Sequence, residues 1–160
     1  MICGNELCSV LPHRGKMLLL SKVIDYNLAE RSICAEYHIT EDCIFYDPVI
    51  GGVPAWAGFE FMAQAIAAIS GLWDRERGNK PKVGFILSIS SMQIKIPFFK
   101  PGSTVELRVK ESGRVDQVFT FEGEALLEGN SVIQGKLTVM EVTDEQIKSM
   151  RKEDPIGREE

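Results

Sequence analysis

The sequence predicts an α+β domain in which an antiparallel sheet wraps around one long, apolar helix. Three observations carry that prediction. From Pro54 to Trp73 the only charge is Glu60, so a helix there is apolar on nearly every face and has to be covered. The flanking segments alternate with period two, or carry β-branched and aromatic residues between turn signals, as strands do. No linker or internal repeat divides the 160 residues, a length that buries a core without staples.

Taken in order, Glu6–Leu11 forms a short helical turn stopped by Pro12, and Met17–Asp25 reads as an apolar strand. In Arg31–Thr40 the residues Ile33, Ala35, Tyr37 and Ile39 alternate with Cys34, Glu36 and His38, the pattern of a half-buried strand. The two strands pair as a hairpin across Tyr26–Glu30. Glu41–Gly52, with Asp47-Pro48 and Gly51-Gly52, is a loop. Pro54 suits the first turn of the central helix, where its missing N–H is no loss. That helix runs to about Trp73 or Glu76, and the charged stretch Asp74–Lys82 ends it. Four strands follow, over Val83–Ile96, Thr104–Glu111, Gln117–Leu127 and Ser131–Val142. Their turns fall at Lys100-Pro101-Gly102, Ser112-Gly113 and Gly129-Asn130. A last short helix spans Asp144–Met150, capped by Thr143 or Asp144. Residues 1–150 thus make one domain. In residues 151–160 seven of ten are charged, which predicts a disordered tail.

Composition excludes several classes. A net charge of −5 argues against nucleic acid, whose phosphates call for a basic stripe. The four cysteines form no C-x-x-C pair and only His13 and His38 could join them, so no metal site is expected. Free thiols fit a reducing cytoplasm. The N-terminus lacks the apolar core of a signal peptide. The central helix reads as too short and too interrupted by glycine to cross a membrane.

Three stretches together resemble the β-hydroxyacyl-acyl-carrier-protein dehydratases of fatty-acid synthesis. They are Leu11-Pro12-His13-Arg14 with Met17–Val23, then Pro54-Ala55-Trp56-Ala57-Gly58-Phe59-Glu60-Phe61-Met62-Ala63-Gln64, then Ile94-Lys95-Ile96-Pro97-Phe98-Phe99-Lys100-Pro101-Gly102. The order and spacing of these motifs agree over residues 8 to 142. The second stretch is most similar to the dehydratase-like proteins of bacterial aryl-polyene pathways. The resemblance implies the hotdog fold, with two domains joining their sheets and the helix acid facing a pocket across the interface. It also implies a 3-hydroxyacyl chain held as a thioester on an acyl-carrier protein or coenzyme A. Phosphopantetheine would then enter an apolar tunnel beside the helix, and no cofactor is required.

The chain departs from that family at one position. The dehydratases carry a histidine fourteen residues before the helix acid; here that position is Tyr46, followed by Asp47, and no histidine occurs after His38.

Glu60 is the leading catalytic candidate. A carboxyl among apolar neighbours titrates high, as a general acid near neutrality requires. Gln64, one turn on, either bonds Glu60 or holds a water, or else packs at an interface. Tyr46 is a hydrogen-bond donor but a poor base. Asp47 is either a site residue or a turn residue. The backbone amides of Ala55 and Trp56 open the helix, and if free they suit a thioester oxygen that gains charge. His13 and Phe85 complete the substrate-binding set, His13 at a position that the resemblance also allows to be structural and Phe85 as a tunnel-lining or core aromatic. The expected function is dehydration of 3-hydroxyacyl thioesters. The alternatives are a thioesterase using Glu60 and a non-catalytic subunit that pairs with an active paralogue. The expected assembly is a homodimer, or a heterodimer with another hotdog protein.

Overall fold

A computed structural model describes residues 1–152. Its elements are β1 (Ile2–Cys3), β2 (Lys22–Asn27), β3 (Ser32–His38), β4 (Val53–Pro54), α1 (Gly58–Glu76), β5 (Val83–Ile94), β6 (Phe98–Phe99), β7 (Thr104–Val115), β8 (Val118–Leu127), β9 (Asn130–Val142) and α2 (Asp144–Lys152). Single 3-10 turns at Gly4–Ser9, Gly15–Met17 and Ala55–Ala57 complete the chain.

Seven strands form one antiparallel sheet in the order β1-β2-β3-β7-β8-β9-β5, while β4 and β6 form a separate small pair. The sheet curls around α1, as expected for a hotdog fold. On the covered face of α1, Phe61, Met62, Ala65, Ile66, Ala68, Ile69 and Leu72 are buried against the sheet. They meet Leu107, Phe121 and Leu137 in the core, with Phe61 between Tyr37 and Phe99 at ring separations of 4.7 and 5.8 Å. Each large apolar side chain buried there contributes about 1.5–3 kcal/mol. Ala55–Glu76 has a mean hydropathy of 1.2 over its most apolar window and is long enough to cross a membrane, so its length does not exclude a span as the sequence reading held. Two-thirds of that window (67%) is buried inside the fold, which accounts for its apolarity.

Two glycines set how closely α1 packs. A Cβ on Gly71 would lie 1.9 Å from the Val10 carbonyl oxygen, and one on Gly123 would lie 2.7 Å from the Met62 sulfur. The bare backbone at these positions lets the N-terminal segment and β8 press against the helix.

The structure corrects several boundaries. The strand expected from Met17 begins only at Lys22. The preceding residues make a 3-10 turn and then pass over α1, because Leu19 and Leu20 are buried in the core and not spent on a solvent-facing ladder. The turn expected at Ser112-Gly113 lies at Asp116-Gln117 instead. The β7–β8 register shifts between Glu111 and Gly113, so the glycine marks a bulge inside a longer strand. Pro54 belongs to β4 and precedes a 3-10 turn, with α1 proper starting at Gly58. The strand from Val83 ends at Ile94. The turn expected at Gly129-Asn130 lies one residue earlier, at Glu128-Gly129, both at positive φ (49° and 78°), the geometry of a tight hairpin, and Asn130 already pairs with Leu127. Thr143 caps α2 reciprocally: Gln146 N–H donates to Thr143 Oγ1 at 3.3 Å and Thr143 N–H donates to Gln146 Oε1 at 2.8 Å. Of the tail expected from residue 151, Arg151 and Lys152 close α2, and residues 153–160 lie outside the described residues.

Candidate active site

α1 is not covered all round. Trp56 in the preceding turn is exposed, and Phe59, Glu60, Ala63 and Ala67 are half-buried. At helical spacing these residues form one stripe that the chain's own sheet leaves open. Glu60 is the single ionisable group on it.

Burial pushes the Glu60 carboxyl above its ordinary value, and the Gln64 amide pulls the other way by offering a hydrogen bond to the ionised form. Gln64 itself is fully buried. Its Oε1 accepts from the Leu19 N–H at 2.9 Å and its Nε2 donates to the Met17 carbonyl at 2.6 Å. Its amide thus bonds the backbone of the segment that crosses the helix, one helical turn from Glu60.

Tyr46 is half-buried against the core. Among the described residues no hydrogen bond joins it to Glu60. Asp47 organises a turn: its N–H donates to Gly52 O at 2.9 Å, its carbonyl accepts from Gly51 at 2.9 Å, and its Oδ1 accepts from Val49 N–H at 2.8 Å. Of the helix-entry amides, Ala55 N–H is not free, because it donates to Pro97 O at 3.1 Å. The β4–β6 pair makes this bond possible by laying the turn after β5 alongside the helix entry. Trp56 instead offers its side chain. The indole is 52% exposed, stands edge-on to Phe45 at 5.6 Å and stacks with Phe59 at 6.4 Å. An aromatic wall thus adjoins Glu60 on the open stripe.

Burial and the Arg14 guanidinium push His13 below its ordinary value. Arg14 is spent on the carbonyls of Cys8, Leu11 and His13. His38 is exposed on the outer side of β3, with Nδ1 3.1 Å from Thr104 Oγ1. Phe85 lies on β5 at the sheet edge, 45% exposed, with Ile86, Leu87, Ile89 and Ile94 also exposed along that strand. Among the described residues it lines neither of the two depressions described next. Two open depressions of about 770 and 710 Å³ lie on the outer sheet face and beside the Ile96–Lys100 turn, and neither reaches Glu60.

The site expectations thus converge only in part. Glu60 and Gln64 lie on α1 with Trp56 in the turn that leads into it, and Tyr46 and Asp47 belong to the loop that carries Phe45. His13 and Phe85 lie on other segments. The sequence reading missed Arg31, a buried cation at the far end of α1. Its signal was available: Arg31 shares the parity of Ile33, Ala35 and Tyr37, which places it on the core face of its strand.

Comparison with known proteins agrees with this geometry. The sequence profile of the ApeP-like family, described as ApeP dehydratase, matches residues 5–151. The 3-hydroxyacyl-[acyl-carrier-protein] dehydratase FabZ of Erythrobacter litoralis is 31% identical over 139 residues, covering 85% of this chain and 90% of that protein. FabZ of Campylobacter hominis is 29% identical over 145 residues, covering 88% and 97%. The dehydratase heterocomplex ApeI:P of Xenorhabdus doucetiae superposes with a TM-score of 0.83 at 24% identity, covering 92% of this chain and 97% of that one, which establishes the shared fold. The E. coli PaaI protein of the phenylacetic acid degradation operon superposes at 0.57 with 10% identity, covering 76% and 79%. With a profile matched over nearly its whole length and Glu60 on the open face of the central helix, the chain belongs to the ApeP-like dehydratase family.

Proposed function

We propose that this protein acts in the dehydration of 3-hydroxyacyl thioesters, with Glu60 as its proton-transfer group. The observation that carries the reading is Glu60 itself: the single ionisable group on the open stripe of α1, beside an aromatic wall, with its carboxyl held in the protonated form to higher pH than usual. Dehydration needs a base to take the α-proton of the thioester and an acid to protonate the departing β-hydroxyl, so that water leaves and a carbon–carbon double bond remains. Glu60 suits the acid role. The acyl chain would reach this chain on the phosphopantetheine arm of an acyl-carrier protein or of coenzyme A.

The base is the missing half. Tyr46 occupies the position where a histidine stands in the resembling dehydratases, and a phenol does not accept a proton near neutrality. The open stripe of α1 and the apolar edge strand β5 both favour a second hotdog protomer lying against this one. Exposed edges with so many apolar side chains and no charge between Val83 and Ile94 are ordinarily paired. The site is then shared between protomers, with Glu60 contributed by this one.

The test follows a 3-hydroxyacyl-carrier protein by intact mass spectrometry, with wild type and Glu60→Gln. Loss of one water from the still-attached chain by wild type, and at least about a hundredfold slower loss by the variant, supports the reading. Loss of the whole acyl group identifies a thioesterase. No turnover by the protein alone, restored by a histidine-bearing hotdog partner and lost again with Glu60→Gln, supports the shared site. Full turnover by a folded Glu60→Gln protein overturns the role of Glu60.

A further inference from the structure

We propose that the exposed turn Arg14-Gly15-Lys16 is an anion subsite that holds the phosphate of a pantetheine arm. The proposal rests on the reading of Glu60 as the group that meets the acyl thioester.

The chain carries a net charge of −5, yet residues 7–24 contain no Asp or Glu and three bases, Arg14, Lys16 and Lys22. Lys22 faces Glu36 at 2.9 Å, and Glu6, just before the stretch, is held by Arg75 at 3.6 Å. Among the described residues Arg14 and Lys16 make no ion pair. Arg14 is nonetheless fixed in place. Its Nη2 donates to Cys8 O at 2.9 Å, and its Nη1 donates to the carbonyls of Leu11 and His13. Carbonyls orient the guanidinium without cancelling its charge. Three of its five N–H groups are used, so two remain for an anion. Gly15 then reverses the chain at a φ of 59° and leaves Lys16 exposed at the tip.

The turn stands along the helix that carries Glu60. Glu60, Gln64, Ala67 and Gly71 follow the spacing i, i+4, i+7, i+11 and share one face of α1. The N-terminal segment lies on that face: the Val10 carbonyl packs on Gly71, and Met17 and Leu19 bond the Gln64 amide at 2.6 and 2.9 Å. It stops one turn short of Glu60. Arg14, bonded to carbonyls on either side of Val10, is level with Gly71, and Lys16, beside Met17, is level with Gln64. By the helix rise these levels lie about 16 and about 6 Å from Glu60 along the axis. An extended pantetheine arm spans roughly 16 Å from phosphate to sulfur, the reach of four to five extended residues. A thioester at Glu60 whose arm follows the open stripe therefore brings its phosphate to Arg14, with Lys16 along the way. Carrier protein and coenzyme A both present that phosphate, and a guanidinium fork matches its oxygens.

The test uses the full-length protein without turnover, with phosphopantetheine and pantetheine as probes that differ only in the phosphate. Titration calorimetry is expected to show phosphopantetheine binding about tenfold more tightly, with the preference shrinking as salt rises. Amide NMR signals of residues 13–17 are expected to move with phosphopantetheine and not with pantetheine. Lys16→Glu, at an exposed side chain, is expected to keep the fold and reduce the preference about fivefold, while Lys16→Arg retains it. Equal affinity for the two probes, no binding of phosphopantetheine, or a preference unchanged in Lys16→Glu overturns the proposal. So does a carrier protein lacking its arm whose binding Lys16→Glu weakens while the phosphate preference stays, which assigns the turn to the carrier's own surface. Glu60→Gln is expected to abolish turnover and keep the phosphate preference, so this proposal and the dehydratase reading fail separately.

Discussion

Arg31 Nε lies 2.7 Å from Glu111 Oε2, with both side chains almost wholly withdrawn from solvent (5% and 13% exposed). The same guanidinium donates to Ser70 Oγ on α1 at 3.0 Å, approaches Glu141 at 3.4 Å, and rests on the rings of Phe119 and Trp73 at 5.0 and 5.5 Å. One side chain thereby joins β7, β9 and the C-terminal half of α1. Removing one partner of a buried pair leaves the other charge uncompensated. Arg31→Met is expected to cost about 3 kcal/mol in urea unfolding. Arg31→Met with Glu111→Leu should cost less than the single change. A single variant as stable as wild type would mean that Arg114, which bonds Glu111 at 3.0 and 3.1 Å, holds that carboxylate alone.

Glu60 makes stability depend on pH in a direction opposite to most carboxylates. Its folded value lies above the unfolded value of 4.5, so the folded state binds the proton more tightly. The contribution is fully present below about 4.5 and is lost as pH rises through the raised folded value. Glu60→Gln has no such loss. The variant should melt higher than wild type at neutral pH, with the difference shrinking as pH falls toward 4.5. Thermal unfolding across pH 4 to 8 checks this (about the window set by that linkage). A difference that is constant across the window would show that the Glu60 carboxylate pays no burial cost.

Gly71 offers a purely steric prediction. A methyl group there would sit 1.9 Å from the Val10 carbonyl oxygen, which is backbone and has no rotamer by which to escape. Gly71→Ala should therefore destabilise by about 3 kcal/mol through displaced backbone, although alanine is the better helix former by about 1 kcal/mol. Thermal or denaturant unfolding decides the sign. Unchanged stability would mean that the N-terminal segment lifts off the helix at little cost.

The sequence by itself determined the fold class, the order of the main elements and the prominence of Glu60. These follow from local signals: period-two alternation in β3, turn residues at Lys100-Pro101-Gly102, and an apolar run broken by one acid. A carboxyl alone among apolar helix residues is conspicuous wherever the chain folds. Only the tertiary structure decided what surrounds it. Met17–Leu20 reads as a strand because it is apolar, yet it crosses α1 and gives its backbone to Gln64, a partner no local pattern reveals. The Ala55 amide reads as free, yet the Pro97 carbonyl reaches it through the β4–β6 pair, which depends on two segments far apart in sequence. Arg31 reads as the start of a strand, and the sheet's curl turns it into the buried link between that sheet and the helix. Periodicity reports which face of an element is apolar; which groups meet across the core depends on long-range pairing, and that is set by the packing of the whole chain.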